Sequence, residues 1–338
     1  MHVKKGENAL FFLKRKSRSR DGWTAVAADA GGVAVAAARR DPGQTPQLTA
    51  CGQAPDPGAL GKLVAEHRLA GSRAVAVLPP EAYSLHLLER PQVPDAELGQ
   101  AVRWKVKDML DFPLEEAVID AFTVPGNPAR GRQDMAYVVA ARRERVQAEV
   151  ARLEAARLTP AVVDIAELAQ RNLAALQPED AGGVAMLHLG PGEGLLTVSR
   201  EGVLYLARRL ELGLGELGGA GGALEGPLGG AVEGDGPALE LEGVDQAQRQ
   251  AMDTVALEVQ RSLDYYESHF GQPPATALVV APLARPLPGF VEHLDANLAV
   301  RVRQADLPDL VDAPAPLPPA VQARCWFALG AALRRTAS

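Results

Sequence analysis

Two glycine-containing turns carry the residue types that could bind a nucleotide. The first is Asp29-Ala30-Gly31-Gly32, and the second runs from His188 to Gly194. Glycines remove side chains from a turn, so its backbone N–H groups can surround a phosphate. A carboxylate at the end of the preceding strand can then organise Mg²⁺ and a water molecule. The same glycines also suit an ordinary hairpin turn, and the residues alone leave both interpretations open.

The two turns differ in the residue that would face a metal ion. Asp29 supplies a carboxylate in the first turn, whereas His188 stands at the corresponding place in the second. Neutral imidazole is a poor partner for Mg²⁺, which prefers oxygen ligands. Pro191 also removes one N–H donor from the second turn. The second turn therefore keeps the shape of a phosphate loop but loses part of its chemistry.

Other chemical motifs are absent or poorly placed. The sequence has no GxxxxGK[ST] loop, no GxSxG turn and no HExxH pair, and its six histidines are scattered, so we expect no metal site. The segment Gly213–Gly218 matches GxGxxG, but further glycines follow where a helix should begin. We interpret it as part of a glycine-rich loop. Cys51 and Cys325 are far apart in the sequence and fit no metal or redox spacing.

The composition describes an acidic chain with one basic end. The 338 residues carry a net charge of −7, which argues against nucleic acid as a partner, and no apolar run approaches the roughly 20 residues that span a bilayer. Residues 4–20 hold seven basic residues and one acid, with Phe11 and Phe12 among them. We interpret residues 1–21 as a basic tail, which is either solvated or places residues 1–20 against an anionic membrane. Two cysteines and no signal peptide favour a cytoplasmic location.

Local patterns predict the elements that position the first turn. Residues 22–82 have the order β-β-β-α-β, with the first hairpin turning at Gly31-Gly32. Residues 83–165 predict a further β-α-β-β-α-β block. We expect this block to be a subdomain inserted into a first lobe of residues 22–181, whose core is 22–82 and 166–181.

A similar pattern positions the second turn. Residues 182–338 begin with another glycine hairpin and continue through a glycine-rich loop over 213–236. Apolar residues at spacings of three and four then predict a helix over 245–270, ended by Gly271. A strand, a turn, a helix and a closing helix follow. Because both halves begin with a strand hairpin, we expect two related lobes that face each other across a cleft.

Several stretches of the sequence resemble a known family. They are "PDAELGQAVRWKVKDMLDFPLEEAVIDAF" (94–122), "AYVVAARRERVQAEVARLEAARLTPAVVDIAELAQRNL" (136–173), "LEVQRSLDYYESHFG" (257–271) and the closing "FALGAALR". In these stretches the chain resembles the actin-like type IV pilus assembly proteins of the PilM family, and within it the MSHA pilus biogenesis proteins, MshI. The resemblance implies an α/β fold, the two-lobed actin/Hsp70-like ATPase fold. The inserted subdomain would correspond to the extra subdomain of the cell-division relative FtsA.

The resemblance also implies a nucleotide cleft, from whose motifs this sequence departs. The three motifs fall on Asp29, Ala30, Gly31 and Gly32, on His188, Gly190, Pro191 and Gly192, and on Ala281 and Pro282. The second carboxylate is missing, and the two glycines of the adenosine motif are replaced by Ala281 and Pro282. We therefore expect no catalytic residue, and either no cofactor or weakly bound ATP or ADP with Mg²⁺. The alternative is a working actin-like ATPase in which Asp29 organises the Mg²⁺.

By the same resemblance the chain is a scaffold. Proteins of this family are cytoplasmic, associate with the inner membrane, and bind the short cytoplasmic tail of a PilN-like inner-membrane protein. A pilus motor ATPase is a second implied partner. We expect the tail to dock at Trp104, Phe112 and Pro113, because a peptide groove favours an aromatic anchor. Core packing is the alternative for these three residues, and a filament-forming role rests on fold analogy alone.

Overall fold

Thirteen strands and nine α-helices make up the described part of the chain. The structure, a computed structural model, describes residues 22–29, 31–41, 43–218 and 239–334. The strands are β1 Trp23–Asp29, β2 Gly32–Arg39, β3 Gln47–Ala54, β4 Arg73–Val77, β5 Tyr83–Glu89, β6 Ala117–Val124, β7 Met135–Arg142, β8 Thr159–Asp164, β9 Val184–Leu189, β10 Gly194–Arg200, β11 Val203–Leu210, β12 Ala277–Val280 and β13 Arg301–Gln304. The helices are α1 Leu60–Glu66, α2 Asp95–Val106, α3 Arg143–Ala155, α4 Ala166–Ala174, α5 Leu214–Leu217, α6 Leu239–Phe270, α7 Phe290–Asn297, α8 Leu307–Leu310 and α9 Pro319–Ala332. The predicted basic tail, Ala30 and residues 219–236 of the predicted glycine-rich loop lie outside the described residues.

Two five-stranded sheets share one topology, which confirms the prediction of two related lobes. The first sheet has the order β3-β2-β1-β4-β8 and the second β11-β10-β9-β12-β13. Each begins with three consecutive antiparallel strands, and its last two strands run parallel to the first. The predicted hairpins are present, with Asp29 paired to Gly32 and Leu189 paired to Gly194. The strand β13 is not among the predicted elements.

A third sheet, β5-β7-β6, belongs to the predicted inserted block. One face of this sheet is covered by α2, which buries Leu98, Val102 and Val106 as its apolar spacing predicts. The opposite face packs on the two lobes. The last strand of the predicted block, β8, pairs with β4 in the first five-stranded sheet, and α3 packs on both. Of the strands in the predicted block, β5, β6 and β7 thus form a sheet of their own, whereas β8 belongs to the sheet of the first lobe.

Two helices cross between the lobes and join them. Although α4 follows the last strand of the first sheet, it packs on β9, β10 and β11, whereas α9 packs on β1 to β4 of the first sheet. The two helices also contact each other, at Gly330 and Ala169, so closely that a Cβ on Gly330 would collide with the Ala169 carbonyl oxygen. One apolar cluster includes residues of both sheets and both helices. The lobes therefore share a core.

The side chain of Gln170 fixes this crossing with buried hydrogen bonds. Its Nε2 atom donates to the carbonyl oxygen of Met186 and to Thr197 Oγ1, both at 2.9 Å. Its Oε1 atom accepts from Trp326 Nε1 of α9 at 3.2 Å. Asn172 adds a bond of 2.9 Å from Nδ2 to the carbonyl oxygen of Gly330. These bonds satisfy polar groups that would be costly to bury alone.

The long helix α6 covers the second sheet. Its buried residues include Met252, Val255, Val259, Leu263, Tyr266 and Phe270, which are the apolar repeat that predicts the helix. Gly271, with φ +62, ends it in a left-handed conformation that favours glycine. The predicted loop 213–236 begins instead with α5, whose Leu214 and Leu217 are buried and whose residues contact α6. No helix within the described residues is long and apolar enough to cross a membrane.

Candidate functional site

The cleft between the lobes encloses a cavity of about 220 Å³. That volume is below the roughly 300–1,000 Å³ of typical small-molecule sites. Its wall is formed by the ends of β1 and β4, by the turn from His188 to Gly194, and by α9. Most of the lining is apolar, and the polar or charged side chains among it are Asp29, Tyr83, Glu167, His188, Glu193, Arg209 and Arg324. The structure thus brings the predicted residues Asp29, His188 and Gly190 to one cavity.

Arg324 pairs with the Asp29 carboxylate, which in the alternative ATPase interpretation would organise Mg²⁺. Its Nη1 and Nη2 atoms donate to Asp29 Oδ2 and Oδ1 at 2.8 and 2.7 Å. The Gly31 backbone N–H also donates to Asp29 Oδ1, at 2.7 Å. Such a fork of two parallel bonds is the strong form of an arginine–carboxylate pair. A guanidinium therefore stands where Mg²⁺ would have to bind, and the Gly31 amide is engaged as well.

Sequence reasoning did not identify Arg324. The signal available was a charged residue inside the otherwise apolar closing helix "AVQARCWFALGAALRR". A helix packed on a sheet buries one face, so an arginine within that face needs an acceptor nearby. Which acceptor it meets depends on the fold.

The second turn also uses its own backbone groups. The Gly190 N–H donates to the Glu193 carbonyl oxygen at 2.8 Å, which closes the turn. The carbonyl oxygens of Gly190 and Pro191 accept from the N–H groups of Leu214 and Gly215 of α5, each at 2.8 Å. The turn is therefore hydrogen-bonded to α5. Its Gly190 N–H is not available to a phosphate, and Pro191 has no N–H. Gly192 is exposed.

The glycine at position 32 has a structural requirement that is independent of phosphate. Its φ is +127, and a Cβ there would collide with the carbonyl oxygen of Ala54 on β3. Only glycine adopts this conformation without strain. Gly31 and Gly32 therefore support the hairpin interpretation of the first turn.

His188 is held neutral by its surroundings. Burial lowers its pKa to about 4, the Asp29 charge opposes that shift, and the Arg324 charge adds to it. The imidazole ring packs on Phe327 of α9, with ring centroids 4.4 Å apart. At neutral pH the ring is therefore uncharged, with one N–H donor and one acceptor nitrogen, and it packs against an apolar side chain.

Ala281, the predicted adenosine position, lies in the core and not on the cavity wall. Only 1% of its surface is exposed, and its N–H donates to the Leu187 carbonyl oxygen at 2.8 Å. Pro282 after it is also buried.

A buried polar cluster that the sequence did not predict connects the lobes across the cleft. The Tyr83 hydroxyl donates to Glu167 Oε2 at 2.5 Å, and Arg209 Nη2 lies 3.5 Å from Glu167 Oε1. Arg209 Nη1 also donates to the Pro80 carbonyl oxygen at 2.7 Å. Burial, followed by the Glu167 charge, raises the pKa of Tyr83 well above its usual value, so the phenol stays protonated. Because Pro80 and Tyr83 follow β4 of the first sheet whereas Arg209 lies on β11 of the second, this cluster contributes to holding the lobes together.

The inserted subdomain makes a further connection to the second lobe. The Tyr137 hydroxyl of β7 donates to the Tyr205 carbonyl oxygen at 3.2 Å and accepts from the Ala207 N–H at 3.0 Å. Asn127 Nδ2 donates to the Gly271 carbonyl oxygen at 2.7 Å. The cavity is thus bounded by lobes that are bonded to each other at several places.

The predicted tail-docking residues lie along one segment of the inserted subdomain. Trp104 on α2 is 72% exposed, which excludes core packing for this side chain. Pro113 is exposed. Phe112 is half-buried: it packs against the apolar cluster under α2 and lies under the guanidinium of Arg142, whose Cζ is 4.3 Å from the ring centroid. Met109, between them, is 50% exposed and was not predicted. We call Trp104, Met109, Phe112 and Pro113 the α2 patch.

Comparisons with known proteins identify related sequences and folds. Residues 67–217 match the family model described as type IV pilus assembly protein PilM. The PilM-PilN type IV pilus biogenesis complex contains a chain with 21% identity and a TM-score of 0.68, over 93% of this chain and 98% of that one. This likeness, with the two matching sheets, shows that the chain has the actin-like ATPase fold.

Two further solved structures have lower scores. The cytoplasmic domain of EpsL, an inner-membrane component of the type II secretion system of Vibrio cholerae, has 13% identity and a TM-score of 0.47, over 91% of this chain and 95% of that one. The ethanolamine utilization protein EutJ from Carboxydothermus hydrogenoformans has 16% identity and a TM-score of 0.46, over 92% of this chain and 88% of that one. No curated protein sequence matches the chain.

Proposed function

We propose that this chain is a PilM-type assembly protein of a type IV pilus, of the MSHA kind, and acts as a scaffold that docks the tail of a PilN-like membrane protein. The observation that carries the proposal is the family match over residues 67–217, which spans the whole third sheet and the α2 patch. The PilM-PilN complex supports the choice of partner, since a chain of that complex shares this fold.

The α2 patch supports a docking role. An exposed tryptophan is the side chain that most often dominates a protein interface, and here it has apolar neighbours along one segment. The other two tryptophans, Trp23 and Trp326, are buried. A tail with an apolar side chain would cover Trp104, while backbone and polar groups at the rim would set its register.

The docking test uses the fluorescence of Trp104. A synthetic peptide of the cytoplasmic tail of a PilN-like protein from the same genome is titrated into the full chain, and the emission is expected to shift to shorter wavelength. Trp104→Ala should weaken binding by about tenfold or more, measured by calorimetry. Leu257→Ala is the matched control, because Leu257 is an exposed apolar side chain (50%) on α6. Equal affinity of wild type and Trp104→Ala would contradict docking at the patch, and no binding by folded protein would contradict the partner.

We propose further that the cleft does not turn over ATP. The supporting observation is the fork between Arg324 and Asp29, with the Gly31 and Gly190 amides engaged inside the protein. Phosphoryl transfer depends on accurately placed metal and donors, and here those groups are already paired. Calorimetry with Mg²⁺ and ATP, alongside a phosphate-release assay, tests this point. Tight binding with turnover that Asp29→Ala abolishes would establish the alternative ATPase function.

The location and the second partner complete the proposal. We place the protein in the cytoplasm at the inner membrane, with a pilus motor ATPase as a further partner and residues 1–20 in contact with anionic lipid. Co-sedimentation with vesicles of anionic and neutral lipid, with and without residues 1–20, tests the lipid contact. Equal binding of both chains would contradict it.

A further inference from the structure

The two cysteines of the chain come from opposite ends of the sequence and meet in the fold. Cys51 lies on β3 and Cys325 on α9, which packs across that sheet. Both side chains contribute to one apolar cluster, with Cys325 inside it and Cys51 packed against it. Cys325 Sγ also lies 3.6 Å from the carbonyl oxygen of Gly52, the residue that follows Cys51. Both cysteines are free thiols.

The two thiols have unequal surroundings. Cys51 is half-buried and Cys325 is fully buried. Interaction with the Cys325 thiol lowers the pKa of Cys51, against the effect of burial. Interaction with Cys51, together with burial, raises the pKa of Cys325 well above its usual value. The thiolate is the reactive form of cysteine, so Cys51 is the side chain that can attack an oxidant.

We propose that Cys51 and Cys325 form a peroxide-reactive thiol pair, which closes reversibly into a disulfide between β3 and α9. Cys51 is in reach of solvent, and Cys325 is the buried thiol directly beside it. This proposal does not depend on the docking function above, since neither cysteine lines the cleft or belongs to the α2 patch.

The chemistry balances with hydrogen peroxide as the oxidant. The Cys51 thiolate attacks one peroxide oxygen, the O–O bond breaks, and the leaving hydroxide takes a proton to become water. Cys51 is then a sulfenic acid. The Cys325 sulfur attacks the Cys51 sulfur, the S–S bond forms and the S–O bond breaks. The hydroxyl leaves as water with the proton of Cys325. The two thiols are oxidised to one disulfide, peroxide is reduced to two waters, and a dithiol restores the pair by exchange.

The bridge would act on the helix that carries the cleft residues. Cys325 directly follows Arg324, and Phe327 lies on the same helix. A covalent link to β3 would fix α9 against the first sheet, and with it the guanidinium that holds Asp29. We expect slower amide hydrogen exchange along α9 in the oxidised protein than in the reduced protein.

The test oxidises the full chain with hydrogen peroxide and then blocks free thiols with a maleimide. Peptide mapping by mass spectrometry is expected to find one bridge within the chain between Cys51 and Cys325, which dithiothreitol reverses. The oxidised protein should unfold about 5 °C or more above the reduced protein, since the bridge closes a very long loop. Sulfinic or sulfonic acid at Cys51 without a bridge, a bridge between two chains, or thiols that stay free would each overturn the proposal.

Two variants separate the roles of the thiols. In Cys325→Ala, Cys51 should stop at sulfenic acid, which dimedone traps. In Cys51→Ser, Cys325 should react on the order of tenfold more slowly with peroxide than Cys51 does. Equal reactivity of the two cysteines would contradict the assignment of Cys51 as the attacking thiol. The mapping of the wild-type protein decides the existence of the bridge even if a variant folds poorly.

Discussion

The substitution Arg324→Gln tests the central feature of the cleft. Glutamine keeps a hydrogen-bonding amide but removes the positive charge, so Asp29 loses both bonds of 2.7 and 2.8 Å to a guanidinium. Two consequences are expected. The free energy of unfolding should fall, and the freed carboxylate should become accessible to a cation.

The expected loss of stability follows from the geometry and exposure of the pair. Two unit charges about 4 Å apart attract by about 1 kcal/mol in water and about 4 kcal/mol near a protein surface. The Asp29 side chain is 45% exposed and that of Arg324 23%, so solvent screens the pair. We therefore expect a coupling of about 1–2 kcal/mol, above the median of surface pairs because the fork is bidentate.

A double-mutant cycle with Asp29→Asn measures this coupling by denaturant unfolding. Arg303→Gln is the control, since Arg303 forks Glu179 at 3.1 and 2.8 Å, its side chain is 31% exposed against 23% for Arg324, and it lies away from the cavity. It should destabilise the protein without changing its response to Mg²⁺, whereas Arg324→Gln should gain a thermal stabilisation by Mg²⁺ that wild type lacks. A coupling below about 0.3 kcal/mol, or equal Mg²⁺ responses of all three proteins, would refute the reasoning.

Two further predictions concern the cleft and the helix crossing. Because burial lowers the pKa of His188 to about 4, the unfolded chain binds more protons at this residue between about pH 6.5 and 4. As the pH falls from about 6.5 to 4, the free energy of unfolding should therefore decrease by at most about 3 kcal/mol more in wild type than in His188→Leu. Parallel pH curves of the two proteins would contradict the assignment. Gly330→Ala would press a Cβ into the Ala169 carbonyl and should destabilise the protein by about 2 kcal/mol or more in denaturant unfolding. The control Gly61→Ala, in α1 with nothing within 4 Å, should be neutral or stabilising by up to about 1 kcal/mol, and similar losses in both variants would argue against the helix contact.

The helices and strands with strong local patterns were predictable. The hairpins at Gly31-Gly32 and at Gly190–Gly194 follow from short apolar runs on either side of glycines, and α6 follows from its apolar spacing. By contrast, β13 has only four residues, of which Val302 alone is buried, so its local pattern is weak. The helix α5 lies at the start of the predicted loop 213–236, where the many glycines favour a loop. Its buried residues Leu214 and Leu217 hold the helix in place.

Partner strands were harder to assign than the strands themselves. The run "TPAVVDI" indicates a strand, but its alternation does not say which sheet it joins. Chain order suggested the inserted subdomain, whereas β8 lies parallel to β4 in the first sheet. Parallel strands are joined by a long crossover connection, so they lie far apart in the sequence. Which strand pairs with β8 therefore depends on the packing of the whole lobe.

The sequence by itself determined the glycine hairpin that opens each half, the hydrophobic faces of the main helices and the residues of the two turns, because these depend on neighbours along the chain. Only the tertiary structure decided what those turns can do. The fork of Arg324 on Asp29 joins residues 295 positions apart, and the contact of Cys325 with the Gly52 carbonyl oxygen joins residues 273 positions apart. Both arise because α9 crosses from the end of the chain onto the first sheet, and no local pattern records which side chains meet at such a crossing. The residue types could bind a nucleotide, but in the structure Arg324 pairs with the Asp29 carboxylate, and the Gly31 and Gly190 amides bond within their own turns.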